Sequence, residues 1–206
     1  MNSTSLALLL LLAPGCSDEA RAAIPVPPGL SWAHADAVGR KLEDLERRFR
    51  ARAAVVPSRR VEAVFITEVE LNSYLNLSLH SKMPTGLSDV SVRLGPGRIA
   101  AKAMVDLEQV RGRAPADKGT LSLLGGRVPL EVMGRLRSEP EGFGAFEFEE
   151  VRLGGWPLPI PLLAELVASS TRKPNSPQGV DIHAPFRLPY RVKRIRFQPG
   201  VAFLEL

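Results

Sequence analysis

From Ser31 onward the apolar positions of the chain fall first at helical spacing. Trp32, Ala35, Val38, Leu42, Leu45 and Phe49 recur every three or four residues, with Lys41, Glu43, Asp44, Glu46, Arg47 and Arg48 between them. Ser31 supplies an N-cap oxygen, and the pattern predicts an amphipathic helix of about five turns over 31–53. Its polar face mixes both signs of charge, which suits packing on protein better than lying on a membrane. Arg60 to Ile66 reads as a strand. Thr67-Glu68-Val69-Glu70 is a T-x-x-E capping box that opens a second helix, ELNSYLNLSLHS. Val69, Leu71, Tyr74, Leu75 and Leu79 give that helix a broad apolar side, and Met83-Pro84-Thr85-Gly86 ends it.

Beyond Gly86 the period changes from about 3.6 to two. Val90, Val92 and Leu94 alternate with Ser91 and Arg93, and Gly95-Pro96-Gly97 turns the chain. Ile99, Ala101, Ala103, Val105 and Leu107 then alternate with a more polar set, so a hairpin with one buried face is expected. RGRAPADKG (111–119) reads as a polar loop, and Val128, Leu130, Val132 and Leu136 resume the alternation. Phe146 and Phe148 are apolar on even positions, but Val151 and Leu153 on odd ones. The slip at Glu149-Glu150 predicts a β-bulge. A similar slip separates Tyr190 and Val192 from Ile195 and Phe197, across Lys193-Arg194. Two bulges imply a strongly curved sheet. Between them Leu162, Leu163, Leu166 and Val167 indicate a short apolar helix, and strands are expected near 180–188, 190–198 and 201–206.

The start of the chain has another character. Leu6 to Ala13 is an eight-residue apolar run, too short for a spanning helix of about 20 residues and suited to a signal-peptide core. Leu12-Ala13-Pro14-Gly15-Cys16 resembles a bacterial lipobox, with leucine one place early, Pro14 an unusual occupant and no Lys or Arg in MNSTS. In that reading residues 1–15 are a lipoprotein signal peptide, Cys16 takes the lipid, and 16–30 form a proline-rich tether. The alternative is plain secretion, with cleavage near Ala22 in Ala20-Arg21-Ala22. Residues 31–206 are then a single α+β domain.

The chemistry of the chain narrows its function. A single cysteine excludes an internal disulfide. His34, His80 and His183 lie in separate elements without metal-ligand spacing, so no metal and no cofactor is expected. No nucleophile elbow, P-loop or zincin motif occurs, and neighbouring strand residues such as Glu149 and Glu150 normally face opposite ways. No catalytic residue is therefore nominated, and the chain is read as not an enzyme. The net charge of +5 concentrates in part at Arg187, Arg191, Lys193, Arg194 and Arg196. Of these, Arg191, Lys193 and Arg194 are candidates for an anionic headgroup; a solvated strand face is the plainer alternative. Export and the lack of a stacking motif argue against nucleic acid.

ITEVELNSYL, VSVRLGPGRIAAKAMVDL and VRLGGWPLPIPLLAELV together resemble small bacterial envelope proteins related to the TULIP lipid-binding superfamily, over about residues 55–206. The resemblance implies a strongly curved antiparallel sheet wrapped around one or two amphipathic helices, with a groove that accepts acyl chains; 31–53 is an extra N-terminal helix. Leu71, Leu75, Leu79, Leu162 and Leu166 are the candidate groove residues, or else simply core. The expected function is non-enzymatic: an exported, lipid-anchored, periplasm-facing envelope protein that binds or shuttles a lipid or other amphiphile. An envelope scaffold acting through protein contacts is the alternative.

Overall fold

The computed structural model describes residues 25–51, 62–111, 125–139, 142–172 and 176–206. The lipobox, Cys16 and most of the polar loop after Arg111 lie outside them. The described chain is α+β, with a large open antiparallel sheet, a small one and a few helices.

Helix α1 (Trp32–Ala51) follows the expected periodicity. Ala35, Val38, Leu42 and Leu45 are buried, and Ser31 Oγ accepts from the His34 N–H. Strand β1 (Ala63–Thr67) leads directly into α2 (Glu68–Ser73), and the capping box is present in both directions. Thr67 Oγ1 accepts from the Glu70 N–H at 3.3 Å, and Glu70 Oε2 accepts from the Thr67 N–H at 2.8 Å. Such a cap stabilises a helix start by about 1 kcal/mol. Helix α2 then widens into a π turn (Tyr74–Ser78), with the Leu79 N–H reaching back to the Tyr74 carbonyl. Leu77 is fully buried although it lies opposite the apolar side read from the sequence, because this segment packs between other elements rather than on a surface.

The large sheet runs β2-β3-β4-β5-β6: β2 (Leu87–Gly95), β3 (Arg98–Asp106), β4 (Arg127–Glu139), β5 (Phe143–Leu153) and β6 (Trp156–Pro157). A short helix, α3 (Leu107–Arg111), follows β3, and β7 (Phe186–Arg187) pairs with the start of β5. Helix α4 (Ile160–Thr171) is the expected short apolar helix, entered through Pro159 and Pro161. The small sheet runs β1-β9-β8, with β8 (Arg194–Gln198) and β9 (Val201–Glu205) joined at Pro199-Gly200.

The bulge expected at Glu149-Glu150 is present: Met133 faces Glu150 and Gly134 faces Phe148, leaving Glu149 unpaired in the ladder. Its consequence corrects the expectation for the two glutamates. Glu149 reaches Arg135 at 2.6 Å and Arg98 at 3.3 Å, while Glu150 reaches Arg152 at 2.5 Å, so both serve the polar face. The second expected bulge is absent. Residues 189–191 form a 3-10 turn with Tyr190 at φ 52°, and the strand begins only at Arg194. Pro189 lacks the N–H that a continuous strand would use. Of the strand expected over 180–188 only Phe186–Arg187 pairs. A bulge that the alternation did not reveal lies in β2 between Ser88 and Ser91, where Asp89 has φ 52° and accepts from Arg127.

Three clusters hold the fold. The first joins α1, α2, the small sheet and the 3-10 turn through Val38, Leu42, Leu45, Ile66, Tyr74, Leu79, Val192 and Leu204. The second sets α4 on the far end of the large sheet through Val151, Leu153, Leu158 and Leu163. The third, Val92, Leu94 and Ala202, bridges β2 and β9.

Candidate functional site

The large sheet has two chemically different faces. Register places Lys102, Glu131 and Arg152 in one row across β3, β4 and β5 on the outer face. Lys102 lies 2.6 Å from Glu131, and its hydrogen bond holds the Glu131 carboxyl below the usual carboxylate range. Arg137 pairs with Glu147 at 2.7 Å on the same face. A shallow depression of about 90 Å³ there is lined by Ala100, Lys102, Glu131, Met133, Glu150 and Arg152 among others. These ion pairs are exposed and screened, each contributing little to stability; their chemistry is that of a wet sheet face.

The inner face is apolar apart from Ser138 near the end of β4, whose hydroxyl meets the Ile195 backbone. Alternation puts Ile99, Ala101, Ala103 and Val105 of β3 there, opposite Gly134, Val132, Leu130 and Val128 of β4, with Phe148, Val151 and Leu153 of β5 beyond. Phe146 and Phe148 meet edge to face at 4.7 Å between ring centres. Gly134 makes room for the Phe146 ring: a Cβ there would fall 2.6 Å from that ring and against the Glu147 carbonyl oxygen.

Helices cover the two ends of this face. At one end Leu71 and Leu75 of α2 and its π turn pack, like Ile99 and Ala101, against Val92 and Leu94, and the two leucines also reach the first cluster. At the other Leu162 and Leu166 of α4 pack with Val105, Val128, Leu130 and Val132. Four of the five candidate leucines thus serve one face from opposite ends. Leu79 does not join them; it is buried in the first cluster with α1. Around α4 the part-buried apolar side chains outnumber the fully buried ones. The sheet residues Val105, Val128, Val132 and Phe148 were not nominated from sequence, although the period-two alternation places them on the same face.

The end covered by α2 is fixed by hydrogen bonds as well as packing. β2 is an edge strand, and its outward backbone groups are met by side chains spaced four apart on the helix. Glu68 Oε2 accepts from the Leu94 N–H at 2.9 Å. Asn72 donates to the Val92 carbonyl at 2.9 Å and accepts from the Val92 N–H at 2.7 Å. Asn76 donates to the Val90 carbonyl. Four helical residues rise about 6 Å and two strand residues about 6.8 Å, so the two repeats stay nearly in step.

The basic candidates separate. Lys193 and Arg194 are exposed, and the Lys193 N–H donates to the Glu205 carbonyl. Arg191 belongs to the 3-10 turn rather than to a strand. The histidines remain apart: His34 contacts Ser31, and His183 lies edge-on to Phe148. Among the described residues no three His, Cys, Asp or Glu side chains gather as metal ligands, and no helix is long and apolar enough to cross a membrane. Comparison of the chain with protein-family models, with curated proteins and with solved structures gives no match.

Proposed function

We propose that the chain is a non-enzymatic, exported and lipid-anchored cell-envelope protein that binds or shuttles a lipid or other amphiphile along the inner face of its large sheet. One observation carries this reading: a largely apolar sheet face whose two ends are packed by different helices, with an incompletely buried layer beneath α4. In this reading the sheet curves around the bound chain, and Leu162 and Leu166 lie along it. Each methylene removed from water contributes about 0.8 kcal/mol. Ten of them give about 8 kcal/mol before the cost of ordering the ligand, enough for an acyl chain to be held and released.

Lipid extraction and mass spectrometry of the purified chain test the carrier. A stoichiometric amphiphile, displaceable by a fluorescent fatty acid and lost in Leu166→Glu, is expected. No copurifying lipid and no probe binding would reject it. For the anchor, Cys16→Ser should release the protein from the membrane fraction and abolish palmitate labelling; unchanged fractionation and labelling reject lipidation.

A further inference from the structure

The outer face of the small sheet carries an aromatic pair in its middle row, set among polar and charged positions. Phe65 of β1 stands opposite Phe203 of β9, which stands opposite Arg196 of β8. The neighbouring rows read Ala63, Glu205, Arg194 and Thr67, Val201, Gln198. Phe65 is 56% exposed, and Val69, in the first turn of α2 beyond this strand, is 45% exposed. The cations stand around the aromatic row. Lys41 Nζ sits 5.0 Å from the Phe65 ring centre, and Lys193, Arg194 and Arg196 are exposed along β8 and its approach. The two carboxylates beside them are engaged, Glu70 with Lys41 and Glu205 with Arg196.

We infer that this face docks the protein on an anionic bilayer surface, with Phe65 and Val69 entering the interface and Lys193, Arg194 and Arg196 meeting lipid phosphates. Charge selects this occupant: with Lys41 held by Glu70 and Arg196 by Glu205, Lys193 and Arg194 give the apolar centre a net positive border, and each such cation near an anionic leaflet contributes about a fivefold gain in affinity. Strand addition at β8 is disfavoured, because Ser138 Oγ already meets both the N–H and the carbonyl of Ile195, and the Gly97 N–H takes the Phe197 carbonyl. The chain's entry point agrees. The Ser31 N–H donates to Ser73 Oγ, one turn along α2 from Val69. Fourteen residues lie between Cys16 and Ser31, a leash of at most about 54 Å. The leash argument rests on the lipidated reading of Cys16; the composition of the face does not.

Cys16 is the single cysteine, so a full-length Cys16→Ser chain carrying Ala63→Cys takes one nitrobenzoxadiazole label on the proposed face. With vesicles of phosphatidylglycerol and phosphatidylcholine the label should brighten and shift to the blue. Pure phosphatidylcholine or high salt should weaken this response. Phe65→Ser with Val69→Ser should lower the affinity read at this label about tenfold, and Arg194→Ser about fivefold. All three positions are exposed, and unchanged urea midpoints would confirm that the variants fold. The same label at Lys102→Cys, on the outer face of the large sheet, should stay unchanged. No response at position 63, an equal response at position 102, or full affinity after the double substitution overturns the proposal. Docking that persists without any copurifying lipid refutes the carrier alone; copurified lipid with a silent label refutes docking alone.

Discussion

Asn72→Ala removes both hydrogen bonds that join α2 to the open edge of β2 at Val92. The side chain donates to the Val92 carbonyl at 2.9 Å and accepts from its N–H at 2.7 Å, both part-buried. A neutral hydrogen bond contributes about 0.5–1.5 kcal/mol net. If water replaces the amide, two lost bonds cost about 2 kcal/mol. Asn72→Leu fills the same space with an apolar group that keeps water out and leaves both backbone groups unmet, so its cost should rise to about 3–4 kcal/mol. The order of the two variants is the informative part. A pure packing role for Asn72 makes leucine the milder change; a backbone-pairing role makes it the harsher one. Urea unfolding at neutral pH measures both, with an unchanged slope confirming that the comparison concerns stability. A loss below about 0.5 kcal/mol for Asn72→Ala, or leucine milder than alanine, refutes the reasoning.

Two further predictions follow from named contacts. Gly134→Ala should destabilise by at least about 2 kcal/mol, since its Cβ meets the Glu147 carbonyl and the Phe146 ring; an unchanged urea midpoint contradicts the close approach. Burial opposes the charge on Glu70, but hydrogen bonds from Lys41 and the Thr67 N–H outweigh it and hold its carboxyl below the ordinary value of 4.5. The stability this provides is present above that value and is lost as pH falls through the lower folded value. Glu70→Gln should therefore be weaker than the native chain by about 1–2 kcal/mol at pH 7, with the gap closing below about pH 4.5; a gap constant down to pH 3 argues against it.

Elements whose pattern is local were legible in the sequence. The α1 stripe, the Thr67–Glu70 capping box, the β2–β3 hairpin and the Glu149 bulge each follow from spacing within a dozen residues, and the structure contains them all. What was lost depended on partners far along the chain. The sequence around 186–198 alternates well enough for a strand, but Pro189 and the left-handed Tyr190 turn the backbone there, and β7 finds its partner at Phe143. Glu68, Asn72 and Asn76 were visible as residues, yet nothing in their own helix says that they face the edge of β2. The candidate leucines on α2 and α4 were found because helical periodicity marks a face. Their meeting on one sheet surface could not be, since it depends on how β3, β4 and β5 register.

The two helices that cover the inner face are secured differently, and this bears on motion. Helix α2 is tied to the β2 backbone by Glu68 and Asn72 and packs in the first cluster with α1, so lifting it breaks several kinds of contact together. Helix α4 meets the sheet through the apolar side chains of the second cluster and is entered through a run of prolines. Amide protons of β3 and β4 beneath α4 should then exchange through a partial opening, at lower protection than those beside α2. On this prediction the end of the apolar face under α4 is the one that opens, and the end beside α2 the one that holds.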